Sequence, residues 1–211
     1  MPCLAKKYEC KREEFYVNGN PDVDYVLSTR ELARLIKQFN LDLKEMPVAD
    51  FDDPLGESTG AAVIFGATGG VMEAALRTAV YTLTGENPID FPEVRGTEGI
   101  KEATYNVAGM DVKVAVVSGL ANTRALMEAI DKKEVDYHFV EVMACPNGCV
   151  GGAGQPFVYQ EGKVDRAAGL YHADKSAVVK RSCENPVVKE LYEHGLLKDR
   201  AHELLHVNYT K

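Results

Sequence analysis

The run Glu141-Val142-Met143-Ala144-Cys145-Pro146-Asn147-Gly148-Cys149-Val150-Gly151-Gly152-Ala153-Gly154-Gln155-Pro156 constrains this chain more than any other segment. Two thiols stand four residues apart, just after an apolar stretch, among glycines and prolines that a packed helix would not carry. A third thiol, Cys3, lies at the other end of the chain in Met1-Pro2-Cys3-Leu4-Ala5-Lys6-Lys7. Soft thiolates in glycine-rich loops suit iron–sulfur clusters, which cysteine holds and backbone N–H groups tune. Small residues let the backbone come close to an inorganic core.

The spacing argues against other thiol chemistries. A thioredoxin-like redox motif has two intervening residues, and here there are three. The radical-enzyme pattern asks for a cysteine at position 152, which is glycine. Structural zinc takes four ligands, usually in close pairs, and no second pair exists. A pair of buried structural thiols is the competing reading. Cys10 and Cys183 are spare thiols with no ligand role expected.

Five cysteines in 211 residues, at irregular spacing, fit metal ligation or free thiols in a reducing compartment, here expected to be the cytoplasm. The formal net charge of −8 and the lack of a basic stripe argue against nucleic acid as a partner. The sequence shows no stretch of about 18 apolar residues and no signal segment at its start, so neither a membrane span nor a leader is expected.

Residues 1–20 read as a loop ending in the turn-like Asn18-Gly19-Asn20-Pro21. Ser28-Thr29-Arg30-Glu31 has the form of a capping box and predicts a helix over about 28–39. Residues 40–60, with Pro47, Pro54 and the acidic Asp50, Asp52 and Asp53, read as a surface loop. Ala61–Phe65 is a short apolar run, taken as a strand. A helix follows over about 70–84, with Gly85 as its stop. Ile100–Val107 and Val112–Val117 are predicted to form a hairpin through Ala108-Gly109-Met110-Asp111. Asn122–Lys133 is a second amphipathic helix, and Tyr137–Val142 a strand that delivers Cys145. Further helices are expected after Pro156, from Asn185-Pro186 to about Tyr192, and over Ala201–Val207.

These elements predict one α/β unit over 1–211: a small mixed sheet flanked by helices. The core is β-α-β-β-α-β over about 61–144, and a helical C-terminal segment spans about 165–211.

Other motifs are weaker. Gly66-x-x-Gly69-Gly70 before a helix can cradle phosphate, but it lacks the lysine of the nucleotide loop; a tight strand-to-helix turn is the better reading. Lys6 by itself is a solvated lysine, or a counter-charge beside a thiolate-bound cluster. His202 and His206 share a helix face without the order of a metalloprotease motif.

Together these residues resemble the C-terminal half of the catalytic domain of iron-only ([FeFe]) hydrogenases. Met1-Pro2-Cys3-Leu4-Ala5-Lys6-Lys7-Tyr8-Glu9 is similar to the family's second signature, M-P-C-x-x-K-x-x-E. Glu141 to Cys149 is similar to its third, E-x-M-x-C-P-x-G-C. Asp24–Leu32, the stretch from Gly56 to Arg77, and the ending from Glu184-Asn185-Pro186 to His206 resemble it as well. The resemblance covers nearly the whole chain and implies about half of a bilobal catalytic domain. The family's first signature, T-S-C-C-P-x-W, has no counterpart in these 211 residues, which contain no tryptophan.

The resemblance implies a [4Fe–4S] cluster joined by one cysteine sulfur to a two-iron subcluster with CO, cyanide and dithiolate ligands. Cys3, Cys145 and Cys149 match three cluster ligands, with Cys149 the bridge. Lys6 matches a lysine that donates to an iron-bound cyanide, a strong charge-assisted contact in a low-dielectric pocket. Met1 and Met143 match methionines packed near the two-iron unit, and Phe65 and Gly66 a segment lining the pocket. The implied activity is reversible reduction of protons to H2. These residues alone are expected to be inactive, because a fourth ligand and a proton route are absent from them. The implied partners are the N-terminal half of the domain or a complementary subunit, maturation proteins, and an electron carrier such as ferredoxin. The alternative is a non-catalytic iron–sulfur binding or assembly protein derived from the same fold.

Overall fold

A computed structural model describes residues 1–50, 52, 58–88, 90–96 and 99–206. Asp53, Gly56, Glu57 and the expected helix end at Val207 lie outside the described residues.

The helices are α1 (Lys6–Glu9), α2 (Thr29–Gln38), α3 (Gly60–Ile64), α4 (Gly70–Thr84), α5 (Leu120–Asp131), α6 (Gln160–Ser176), α7 (Pro186–Glu193) and α8 (Ala201–Leu205). The strands are β1 (Tyr16–Val17), β2 (Asn20–Pro21), β3 (Ile100–Val107), β4 (Met110–Ser118) and β5 (Phe139–Met143).

The main sheet runs β3-β4-β5. β3 and β4 pair antiparallel from Ile100↔Val117 to Val107↔Met110, and β5 lies parallel to β4 from Val114↔Phe139 to Ser118↔Met143. The sheet is therefore mixed, as expected. The hairpin turn is tighter than predicted: Ala108 and Gly109 alone make it, both at positive φ, and Asn106 Oδ1 accepts from Gly109 N at 3.2 Å.

Side chains alternate along β4, and this alternation builds two cores. Val114 and Val116 face α4 and meet Met72, Leu76 and Val80, with Phe91, Val94 and Val107 closing the cluster. Ala115 and Val117 point the other way, against Leu126 of α5 and Ile130, Val135 and Val140. The sheet is thus a middle layer with α4 on one face and α5 on the other.

The expected strand at Ala61–Phe65 is corrected: this segment is helix α3. Five apolar residues fit a buried strand or a buried helix equally well by pattern. The helix is decided locally by Thr59, whose Oγ1 accepts from Ala62 N at 3.1 Å as an N-cap. Gly60 lies so close to α6 that a Cβ there would sit 2.0 Å from Asp174 Oδ1. The core order is α-α-β-β-α-β, and the Gly66–Gly69 turn joins two helices.

The loop expected over residues 1–20 is also corrected. It contains α1, a 3-10 turn at Glu13–Phe15, and the β1–β2 ribbon, which turns at Asn18-Gly19. The α2 capping box is present: Ser28 Oγ accepts from Glu31 N, and Glu31 Oε2 accepts from Ser28 N at 2.7 Å. Asn185 caps α7 as its Asn-Pro pair predicted. Beyond α2, Phe39 (65% exposed), Leu43 (66%) and Val48 (101%) stand in solvent. No described helix is long and apolar enough to cross a membrane.

Candidate metal centre

β5 ends at Met143 beside Ser118, the last residue of β4, and this pairing fixes where the cysteine loop begins. Gly119 N donates to Met143 O at 2.8 Å, and the buried Ser118 Oγ accepts from Asn147 N at 2.8 Å. Cys145 and Cys149 each open a turn: Gly148 N donates to Cys145 O at 3.0 Å and Gly152 N to Cys149 O at 2.9 Å. Gly148, at φ 82° and ψ −157°, occupies backbone space essentially closed to other residues.

The Gly66–Gly69 turn clamps this loop. Thr68 N donates to Asn147 O at 3.3 Å and Val150 N to Gly66 O at 3.0 Å. Glu141, on β5, joins the same turn from the other side of Cys145. Its carboxylate accepts from Gly69 N and Met72 N, each at 2.7 Å. Burial pushes the Glu141 pKa up, and the two N–H donors and Lys101 pull against it.

The N-terminal segment lies against the far end of the loop. Gly154 N donates to Pro2 O at 2.8 Å, Arg30 N to Gly154 O at 3.1 Å, and Thr29 N to Met1 O at 3.1 Å. A Cβ on Gly152 would sit 2.5 Å from Pro2 O, so the approach needs glycine there.

This packing brings Cys3, from one end of the chain, to the Cys145–Cys149 pair. The Cys149 thiol is pushed up by burial of part of the side chain and then by the charges of Cys145 and Cys3, while Lys6 pulls it down. Cys3 and Cys145 are half-buried and Cys149 is exposed. Lys6 pairs with Glu9; this bond raises the lysine's pKa most, burial opposes it, and Cys3 and Cys149 add to the rise. Met1 and Lys6 line an open, mostly apolar hollow of about 450 Å3 with Glu9, Cys10, Phe15 and Tyr25.

Among the other residues singled out by sequence, Met143 is half-buried at the end of β5, and Gly66 offers its carbonyl to the loop. Phe65 is 44% exposed at the end of α3. Cys10 Sγ donates to Lys7 O at 3.5 Å, and Cys183 lies far along the chain in the turn before α7. Among the described residues, no three His, Cys, Asp or Glu side chains are gathered tightly enough for a single metal ion. The donor set beside the loop is instead three thiols and a lysine. That chemistry fits a cluster, whose irons spread their thiolate ligands apart.

Sequence reasoning singled out neither Ser118 nor Asn147 as supports, nor Glu9 as the partner of Lys6. Glu141 carried a signal of its own, a lone charge between two valines in an apolar strand.

Comparison with known proteins points the same way. The family described as "Iron only hydrogenase large subunit, C-terminal domain" matches residues 1–153, and "Iron hydrogenase small subunit" matches residues 160–211. The NADP-reducing hydrogenase subunit HndD of Solidesulfovibrio fructosivorans is 52% identical over all of this chain and 37% of its own length. The periplasmic [Fe] hydrogenase large subunit of Nitratidesulfovibrio vulgaris is 53% identical over 74% of this chain and 38% of its own length. A solved structure of the [FeFe]-hydrogenase HydA1 from Chlamydomonas reinhardtii superposes with a TM-score of 0.80 at 37% identity, covering 100% of this chain and 62% of that one. The protein NAR1 of Arabidopsis thaliana is 31% identical over 99% of this chain and 48% of its own length. The chain spans less than two fifths of the two hydrogenase subunits it matches.

Proposed function

The chain belongs to the iron-only hydrogenase large-subunit family, and from that premise we propose that it contributes part of the metal centre at which protons and electrons are converted reversibly to H2. The observation that carries this reading is the backbone contact of Pro2 with Gly152 and Gly154, which sets the Cys3–Lys6 segment against the loop of Cys145 and Cys149 from far along the sequence.

In this reading Cys3, Cys145 and Cys149 would hold an iron–sulfur group made of a [4Fe–4S] cluster and a two-iron subcluster bearing CO, cyanide and dithiolate. When bound, that group supplies the redox chemistry; the protein supplies ligands, charge and a dry, shaped surround. Lys6, kept charged by Glu9, offers an ammonium to an anionic cyanide. Met1 and Met143 pack beside the same group, and Phe65 and Gly66 line its pocket. The fourth cluster ligand comes from a complementary part of the protein or a second subunit. Phe39, Leu43 and Val48, apolar and in solvent, suit coverage by such a part. Maturation proteins and an electron carrier such as ferredoxin complete the partners, in a reducing cytoplasm.

The second reading is a non-catalytic iron–sulfur assembly protein, supported by 30% identity over 99% of this chain to the cytosolic iron-sulfur assembly component 3 of Mus musculus. Infrared spectra of the matured protein, expressed with its complementary part, separate the two. Bands from iron-bound CO and cyanide support the hydrogenase. A [4Fe–4S] signal without them supports the assembly protein. The 211-residue chain alone should give no H2 from reduced viologen, and robust turnover would refute the need for a complementary part.

A further inference from the structure

A cavity of about 220 Å3 lies between the Gly66–Gly69 turn, the loop at Asn147 and Val150, and helix α6. Thr68 and Tyr171 both line it. Thr68 is 4% exposed, and neither its Oγ1 nor the buried Tyr171 hydroxyl has a hydrogen-bond partner. Two orphaned hydroxyls on residues that line one cavity need a common explanation, since a buried hydroxyl without a partner bears its full desolvation cost.

The lining decides what kind of ligand answers them. No carboxylate lines the cavity among the described residues, so nothing there holds a cation. Arg95 lies over the Tyr171 ring, 4.4 Å from its centroid, but its charge is met by Glu73 and Asp90. Lys163 also lines an outer groove beside Arg30 and Arg166. A neutral molecule that both donates and accepts fits two hydroxyls, and at about 30 Å3 each several waters have room.

We propose that this cavity is an internal water site, whose occupants bond Thr68 Oγ1 and the Tyr171 hydroxyl. They tie helix α6 to the Gly66–Gly69 turn, which clamps the loop that carries Cys145 and Cys149. Asn147 already meets α6 directly, its Oδ1 accepting from Gln160 Nε2 at 2.8 Å. The water would add a second link beside the thiol loop, whether or not a cluster is bound.

The test uses Thr68→Val and Tyr171→Phe in the full chain. In a hydrated cavity each change strands a water, and Tm should fall by about 2–4 °C. In a dry cavity each change removes an unpaired hydroxyl, and an unchanged or raised Tm overturns the proposal. A measurement on the unaltered protein decides the matter if a variant does not fold. Ordered water at both hydroxyls in a crystal structure is the expected result, and xenon filling the cavity under pressure overturns it.

Discussion

The Glu141 carboxylate accepts the Gly69 N–H at 2.7 Å across 72 residues of sequence. This bond ties the strand that delivers Cys145 to the turn that clamps the loop beyond it. Glu141→Ala leaves the buried N–H groups of Gly69 and Met72 without an acceptor. The expected cost is about 2–4 kcal/mol, from roughly 1–3 per stranded group with partial relaxation. Thermal unfolding of the full chain measures it, and a loss under 0.5 kcal/mol contradicts the strap, on the ordinary scale of surface substitutions.

The same group sets one pH dependence. Burial holds the Glu141 pKa above its usual value in the fold. Its protonated form is therefore favoured by folding, and the stability it contributes is present at low pH and fades as pH rises through the raised folded value. Glu141→Gln should flatten this part of the stability profile; an unchanged slope in the weakly acid range is the contrary result.

Glu31 acts with the opposite sign. Bonds from Lys7 and then Ser28 hold its pKa down to about 2. Its contribution to α2 is complete above the ordinary value of 4.5 and is lost as pH falls through about 2. Amide exchange in α2 should rise over that window, and Glu31→Gln should remove the rise.

Arg77 is wholly buried and donates to Asp174 Oδ1 and Oδ2 at 2.8 and 2.7 Å and to Glu73 at 2.7 Å. Arg77→Ala strands the buried Asp174 carboxylate, leaves Glu73 to Arg95 alone, and should cost about 3–5 kcal/mol. Denaturant unfolding reads this as a lower midpoint. Arg77→Met with Asp174→Asn should recover part of it, because a neutral pair needs no compensating charge.

Gly148→Ala tests the shape of the thiol loop. The new Cβ meets Thr68 N at 2.8 Å, in a backbone conformation that only glycine adopts readily. A cost of about 1–3 kcal/mol is expected. The reactivity of Cys149 toward a thiol reagent should change as well, while that of Cys183 stays the same.

The parts of the fold that the sequence made legible are those with local signals. The capping box at Ser28 and Glu31, the stop at Gly85 and the Asn185-Pro186 start carry their own physics. The short turn between two β-rich runs marks the hairpin of β3 and β4. Ala61–Phe65 was misassigned because a five-residue apolar run has no period long enough to separate strand from helix. Its cap at Thr59 and its close approach to Asp174 are the deciding contacts, and the second is tertiary. For the centre, residue chemistry pointed to Cys3, Cys145 and Cys149. Their approach depends on Pro2 meeting Gly152 and Gly154, a contact invisible to spacing. Lys6 was expected beside a cyanide, and its pairing with Glu9, one helical turn away, was within reach of the i, i+3 rule.

The most direct measurement is anaerobic iron–sulfur reconstitution of single-cysteine variants, followed by Mössbauer spectroscopy. Cys3→Ser should alter or abolish the [4Fe–4S] signature as severely as Cys145→Ser or Cys149→Ser, while Cys10→Ser and Cys183→Ser leave it intact. A spectrum from Cys3→Ser identical to that of the unaltered chain would contradict the account, because the two distant segments of the polypeptide would not then share one metal core.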